Sequence, residues 1–348
     1  MQSRSRIAAA LFSGALLVAI APGPAQAATN TYVALGDSYS SGTGTRTYIN
    51  DGTSCQRSVY AYPSLIAVSK GYSLNFRACS GATVDDVLNL QLGAVVTGTA
   101  YVSITVGGND AGFAAVLTEC ALPAWASNCN AAIDRARSII NNQLPSRLLT
   151  LYVAVRAKSS RVVAAGYPLI FNGEDCNLFT WFSPTEEARL NATATLLNGK
   201  IKSAAAAAGV AYVDPTTAFD NHAVCDSPEW INGLSSPTSE SFHPNRAGHS
   251  AGYAPLVGSA LSGSTLPVAP LSTEQAAVSS KRLAVQQRAY AAQDRTIRPK
   301  VFKIPNLQSR EIKAAAARAG VNLDSRASID ATDAKYAARQ AKSFREGR

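Results

Sequence analysis

Histidine is scarce in this sequence, and the common zinc-binding patterns are missing. Only three histidines occur among 348 residues: His222, His243 and His249. There is no Cys-x-x-Cys motif, and no cysteine stands at a spacing from a histidine that is typical of zinc sites. These absences argue against a structural zinc site, and they leave only three candidates for a histidine base.

Basic residues are not in excess over most of the chain. Residues 264–348 hold 16 of the 32 Lys and Arg residues and 7 of the 23 Asp and Glu residues. This segment therefore carries the whole net charge of +9, and the rest of the chain is neutral. Because a nucleic-acid-binding protein would need its basic excess on the main domain, the composition argues against nucleic acid as a partner.

The N-terminal segment has the three parts of a secretory signal. Residues 1–6 are basic, residues 7–21 are apolar, and residues 22–27 end in small side chains. Cleavage is predicted after Ala27. The apolar run is short for a membrane span, and no second run follows it. We therefore expect an exported, soluble mature protein.

The cysteine count agrees with export. An even number of cysteines in an exported chain predicts disulfides, here three of them. Six cysteines can pair in too many ways for the sequence alone to select one. We favour the sequential pairing, Cys55–Cys79, Cys120–Cys129 and Cys176–Cys225.

Short apolar segments rich in β-branched residues alternate with helical stretches. This alternation predicts an α/β domain with a five-stranded parallel sheet and right-handed crossovers. Helices are expected over 131–158, 184–208 and 245–261, the second of them capped by Ser183 with Pro184 at its first position. The five predicted strands are TYVALGD (31–37), SLNFRAC (73–79), YVSITVGGND (101–110), RVVAAGYP (161–168) and GVAYVDP (209–215).

The composition changes after residue 263. A linker, STLPVAPLS, leads into a segment rich in Ala, Gln and Arg. We call residues 264–348 the C-terminal extension. It has too little apolar content for a core of its own, so we expect a helical but loosely ordered segment. Its basic charge predicts contact with an anionic cell wall or lipid surface. A solvated appendage without a role is the alternative.

Polar turns follow the first three predicted strands, at the edge of the sheet where sites form. The first, GDSYSSG, presents Ser38, whose hydroxyl needs a base before it can act as a nucleophile. The second and third offer the N–H of Gly81 and the side-chain amide of Asn109 as oxyanion donors. Each turn taken alone has an ordinary explanation as turn chemistry.

A second serine stands in a G-x-S-x-G pattern, GHSAG, residues 248–252. In the hydrolases that use this pattern, the serine follows a strand and the histidine lies later in the chain. Ser250 lies in a predicted helix, and no histidine follows His249. We therefore reject Ser250 as a nucleophile.

The motifs GDSYSSG, SGA, GGND and SFHPN in this order resemble the SGNH (GDSL) hydrolase family, in particular its secreted actinobacterial lipases and esterases. The resemblance runs from about residue 32 to residue 261. It implies a flavodoxin-like three-layer α/β/α sandwich; we also expect a monomer that needs no cofactor or metal. It also implies Ser38 as nucleophile, His243 as base, and Gly81 and Asn109 as oxyanion donors. Such relatives carry three disulfides in sequential order.

The sequence departs from the family pattern next to the histidine. Many members have Asp three residues before it, where this chain has Glu240. Either Glu240 orients His243, or a backbone carbonyl, that of Ser241, holds its Nδ1–H as the similar secreted relatives imply. We favour the carbonyl, because Glu is one methylene longer than Asp and orientation tolerances are tight.

The expected function is a secreted serine ester hydrolase, a lipase or esterase, that acts on ester or lipid substrates. A phospholipase fits the same residues, and the sequence sets neither acyl-chain length nor head group. Two alternatives stay open: a carbohydrate acetylesterase or thioesterase on the same scaffold, and a non-catalytic surface-binding protein.

Overall fold

A five-stranded parallel sheet forms the centre of the computed structural model, in which residues 30–265 and 267–346 are described. The predicted signal peptide lies outside the described residues. The strand order is β2-β1-β3-β4-β5, which confirms the predicted α/β class. The strands are β1 (Thr31–Gly36), β2 (Ser73–Phe76), β3 (Thr99–Thr105), β4 (Ser159–Ala165) and β5 (Ala211–Val213).

Helices cover both faces of the sheet. The part of the chain before the extension contains α1 (Ser38–Ser41), α2 (Tyr62–Lys70), α3 (Val84–Asp86), α4 (Phe113–Cys120), α5 (Cys129–Asn142), α6 (Leu144–Arg156), α7 (Pro184–Ala207) and α8 (Ala254–Ser262). The extension contains α9 (Thr273–Arg288), α10 (Ala291–Asp294), α11 (Arg310–Ala319) and α12 (Arg326–Glu346). In the described part of the chain, no helix is long and apolar enough to cross a membrane.

The sheet changes direction between β1 and β3. The chain goes from β1 to β2 at one edge and then returns to the other side of β1, where β3 pairs in parallel register. Such a switch point opens a crevice at the carboxyl ends of the strands, the usual place for a ligand in an open α/β sheet. The turns that carry Ser38 and Asn109 follow β1 and β3, so both lie at this crevice.

Two predicted helices illustrate how local sequence sets the element ends. Ser183 caps α7 as predicted: its side chain accepts a hydrogen bond from the N–H of Glu186, whose carboxylate accepts one from the N–H of Ser183. The single helix expected over 131–158 is instead divided into α5 and α6. Pro145 stands in the first turn of α6, where a residue without an N–H costs no helical hydrogen bond.

Three disulfides join the cysteines in the sequential order that we favoured. They are Cys55–Cys79, Cys120–Cys129 and Cys176–Cys225. The first ties the loop before α2 to the turn after β2, which carries Gly81. The disulfide therefore restrains one wall of the crevice.

The C-terminal extension packs against the main domain. Some of its apolar side chains, among them Leu283, Ile297 and Phe302, are buried in the core of the main domain. Others join Trp125 and Trp181 in a second apolar cluster. The extension needs no core of its own, because it completes the surface of the domain that precedes it.

Candidate active site

The turn after β1 places Ser38 at the start of α1. Asp37 caps this helix by accepting a hydrogen bond from the N–H of Tyr39 at 3.0 Å. The N–H of Asp37 donates to the carbonyl oxygen of Thr105 at the end of β3, 2.9 Å away. Gly36 has φ +122°, and a Cβ there would collide with the same carbonyl oxygen. The Gly-Asp-Ser sequence is therefore what allows β1 to end against β3 and present the serine.

His243 lies directly against Ser38. Its Nε2 is 2.9 Å from the Oγ of Ser38, and its Nδ1 is 2.9 Å from the carbonyl oxygen of Ser241. A carbonyl can only accept, so Nδ1 carries the hydrogen and a neutral ring leaves Nε2 as the acceptor for the serine hydroxyl. The backbone around the ring is fixed by two hydrogen bonds with Asn232, one from the N–H of Phe242 and one to the carbonyl of His243.

Burial keeps the imidazole of His243 neutral. It lowers the pKa of His243 to about 4, although the hydrogen bond to the Ser241 carbonyl opposes this effect. The ring of Tyr39 lies 5.3 Å from the imidazole and that of Phe113 lies 6.0 Å from it. The histidine is thus held in the form that can accept a proton at neutral pH.

Glu240 points away from His243. Its Oε1 accepts a hydrogen bond from the hydroxyl of Tyr48 at 2.6 Å, and its Oε2 lies 3.7 Å from the Nε of Arg46. Of the two orienting candidates, the structure places the Ser241 carbonyl at Nδ1 and engages the Glu240 carboxylate elsewhere.

Gly81 and Asn109 lie on the turns on either side of Ser38. The Nδ2 of Asn109 donates to the carbonyl oxygen of Ala82 at 3.0 Å, which connects the turn after β3 with the turn after β2. An amide nitrogen carries two hydrogens, so this bond orients Asn109 and leaves one donor for another acceptor. Ser38 and Asn109 line the same small cavity, and Gly81, at φ +88°, begins the adjoining turn.

Tyr167 is a site residue that the sequence did not single out. Its hydroxyl donates to the Oδ2 of Asp37 at 2.5 Å and accepts from the N–H of Gly108 at 3.0 Å. Burial raises the pKa of Asp37 to about 7, and the hydrogen bond from Tyr167 opposes this rise. The tyrosine thus ties the cap of the serine helix to the turn that carries Asn109. The only sequence signal was its place just after β4, in AAGYP.

Ser250, the serine of the rejected G-x-S-x-G pattern, lies outside this site. It stands in a π-helical turn, Gly248–Tyr253, that precedes α8. The adjacent His249 is fully buried, and its Nδ1 accepts a hydrogen bond from the N–H of Tyr62. His222, the third histidine, stacks on the ring of Trp230 with centroids 3.8 Å apart.

An apolar cavity of about 70 Å³ adjoins the serine–histidine pair. It shares Tyr39, Gly108, Phe113 and Tyr167 with the small cavity at Ser38. The remaining walls come from α4, α5 and α7, with side chains such as Leu117, Ile140 and Leu197. Its lining suits a hydrocarbon group attached to a carbonyl held at the serine.

A parallel α/β sheet with a serine–histidine pair and amide donors at the carboxyl ends of its strands is the arrangement of an ester hydrolase. The model of the GDSL-like Lipase/Acylhydrolase family matches residues 34–251. The chain therefore belongs to this family, and it is a carboxylic ester hydrolase. The match ends before the C-terminal extension.

Individual relatives agree with this assignment. Over 233 residues, 66% of this chain and 86% of the relative, the chain is 43% identical to a lipase of Streptomyces rimosus. It is also 39% identical to Lipase 1 of Streptomyces coelicolor. That alignment spans 257 residues, which are 72% of this chain and 94% of the relative. The crystal structure of an extracellular lipase from Streptomyces rimosus matches with 41% identity and a TM-score of 0.62, covering 66% of this chain and 99% of that one. The structure of phospholipase A1 from Streptomyces albidoflavus matches with the same identity and TM-score, covering 66% and 98%.

Proposed function

We propose that Ser38 and His243 carry the ester hydrolysis through an acyl-enzyme. The Oγ of Ser38 attacks the ester carbonyl carbon while the Nε2 of His243 takes the hydroxyl proton. The tetrahedral intermediate then collapses, the bond to the alcohol breaks, and Nε2 gives its proton to the departing oxygen. Water then attacks the carbonyl carbon of the acyl-enzyme while Nε2 takes its proton, and the serine oxygen departs with that proton, which releases the acid and restores the serine. The observation that carries the proposal is the 2.9 Å contact between Ser38 Oγ and His243 Nε2.

The negative oxygen of the intermediate is assigned to three donors. They are the N–H groups of Ser38 and Gly81 and the Nδ2 of Asn109, which come from the turns after β1, β2 and β3. Donors fixed in advance stabilise the charge without reorganisation when it develops. The hydrogen bond from Asn109 to the Ala82 carbonyl supports this assignment, because it holds two of the three turns in register.

Lipid esters are the proposed substrates. The apolar cavity beside Ser38 would take the hydrocarbon part of the acyl group, and the named relatives are lipases and a phospholipase A1. A carbohydrate acetylesterase or a thioesterase would use the same nucleophile. A panel of oxygen esters from acetyl to long acyl chains, with a thioester and a phospholipid, separates these functions.

A serine-directed phosphonate tests the nucleophile in the native chain. After prolonged incubation, we expect one label per chain, located on Ser38 by peptide mass spectrometry. The end-point of labelling is measured rather than its rate, so that slow access to the site does not affect the result. Absence of label, or label on Ser250, would contradict the proposal.

Glu240→Gln tests how His243 is oriented. Since the Nδ1 of His243 faces the Ser241 carbonyl and the carboxylate of Glu240 faces Tyr48, the amide should leave most of kcat/KM intact. The measurement is turnover of a short p-nitrophenyl ester beside the native chain. A loss of about 10³-fold or more, with unchanged thermal stability, would show that the carboxylate orients the histidine.

Export and surface contact complete the proposal. The signal sequence pattern and three disulfides support an extracellular site of action. Contact of the basic extension with an anionic cell wall or lipid surface stays a prediction, as does a monomeric state. Retention on cell walls that falls as salt is raised would support the surface contact.

A further inference from the structure

The extension does more than cover an open face of the domain: part of it packs against residues around the candidate active site. We call residues 298–303, which link α10 to the loop before α11, the strap. Pro299 lies on Gly81, and the ring of Phe302 packs 5.0 Å from that of Phe242, the neighbour of His243. The N–H of Lys303 then donates to the Oγ1 of Thr118 on α4 at 3.0 Å.

These contacts define the path of the strap over the sheet. Gly81 follows β2, and Thr118 is on the helix that follows β3. The end of β1, where Ser38 lies, is between them, because the strand order is β2-β1-β3. Strands two places apart are separated by about 10 Å, and four extended residues span about 13 Å. The chain from residue 299 to residue 303 thus runs from the turn after β2 to α4, along the edge of the sheet at which Ser38 lies.

The strap occupies space that a substrate would need. A Cβ built on Gly81 would lie 2.6 Å from the Cα of Pro299 and 3.0 Å from the carbonyl oxygen of Arg298. The backbone of the strap therefore lies against the glycine that is assigned to the oxyanion. Ser38 is only 7% exposed, and the cavity it shares with Asn109 is about 10 Å³.

A buried ion cluster anchors the strap at its N-terminal side. The carboxylate of Asp294, in α10, lies 2.6 Å from the Nη2 of Arg57 and 2.8 Å from the Nη2 of Arg77. All three side chains are fully buried, and the Arg77 guanidinium also stacks over the ring of Tyr290. Loss of one partner from such a cluster leaves charges buried without compensation, which makes Asp294 a sensitive point of attachment.

A second anchor holds the C-terminal side. Side chains of α11 and α12, including Ile312 and Ile329, pack with Trp125 and Trp181 of the main domain. The Nε1 of Trp181 donates to Asp330 at 2.9 Å. The strap is therefore attached to the main domain on both sides of the site, which favours the position seen in the structure.

We infer that the C-terminal extension is an autoinhibitory segment and that full turnover requires displacement of the strap. The inference rests on the proposed role of Ser38. It fits the comparison with the Streptomyces rimosus lipase, in which 66% of this chain accounts for 99% of that enzyme. In the native chain, the observed rate is the rate of the open form multiplied by the fraction of molecules that are open.

Two substitutions in the full chain test the inference, and each has a matched control. Asp294→Asn removes the charge that joins Arg57 and Arg77, and Asp324→Asn makes the same change at an exposed residue of the extension. Phe302→Ala weakens the strap itself without touching the ions, and Ile304→Ala is its control at a side chain that is 43% exposed. The measurements are kcat/KM for a short p-nitrophenyl ester and the rate of phosphonate labelling.

We expect both rates to rise by roughly tenfold or more in Asp294→Asn and several-fold in Phe302→Ala, because each change increases the open fraction. The two controls should stay within about twofold of the native chain. Rates that are unchanged or lower in Phe302→Ala would overturn the inference, whether or not Asp294→Asn folds. If the native chain still takes one label on Ser38, the proposed function survives that result. If no variant is labelled at Ser38, the proposed function itself fails.

Discussion

Replacement of Ser38 by alanine is expected to lower turnover of a short p-nitrophenyl ester by about 10⁴-fold or more. The alanine has no oxygen to form the acyl-enzyme, and the remaining rate would come from oxyanion donors and substrate positioning alone. The measurement is kcat/KM in the native chain and again in the Asp294→Asn background. If the strap restricts access, kcat/KM is higher in the Asp294→Asn background before Ser38 is replaced. A larger decrease in kcat/KM can then be measured.

Ser250→Ala is the matched control for this experiment. Ser250 belongs to the G-x-S-x-G pattern but lies in the turn before α8, away from His243. Its removal should change kcat/KM by no more than about twofold. Equal rates in Ser38→Ala and the native chain, or a large loss in Ser250→Ala, would refute the assignment of the nucleophile.

Asn109→Ala is expected to lower kcat by about 10²–10³-fold with a much smaller change in KM. The side-chain amide is assigned to the charge that develops on the carbonyl oxygen, so its loss affects the transition state more than the bound ester. Asn141→Ala, at an exposed position of α5, is the control for a change from Asn to Ala. The measurement is the separate determination of kcat and KM, together with the thermal unfolding midpoint.

The split between kcat and KM distinguishes an oxyanion donor from a structural role. Asn109 also donates to the Ala82 carbonyl, so alanine will loosen the turn that carries Gly81. A purely structural loss would lower the unfolding midpoint and affect KM as well as kcat. An Asn109→Ala enzyme with native kcat would remove this residue from the proposed oxyanion site.

The sheet was predictable because its signals are local. Four of the five strands are short runs of β-branched and apolar residues that end at or shortly before Gly or Asp, and β2, SLNF, is the exception. Alternation with helical stretches then predicts parallel strands. The division of the helix predicted over 131–158 was missed, although Pro145 is a local signal for a new first turn.

The extension could not be interpreted in the same way. Its apolar residues are too few for a core, and its buried partners lie far away in the sequence: Asp294 meets Arg57 and Arg77 more than 200 residues earlier. An ion pair between residues so far apart produces no periodic pattern of polar and apolar residues in the extension, so the sequence contains no local signal for it. From composition alone, Asp294 is one of only seven acidic residues in a basic segment.

The sequence by itself determined the candidate residues, because Ser38, Gly81 and Asn109 stand in short motifs after predicted strands and His243 stands in one just before a predicted helix. The tertiary structure decided how they are arranged and what covers them. It places the Ser241 carbonyl at Nδ1 of His243, since the Glu240 carboxylate is held by Tyr48 from a distant loop. It also brings Pro299 onto Gly81. Both results depend on contacts between residues far apart in the chain, which local sequence patterns do not encode.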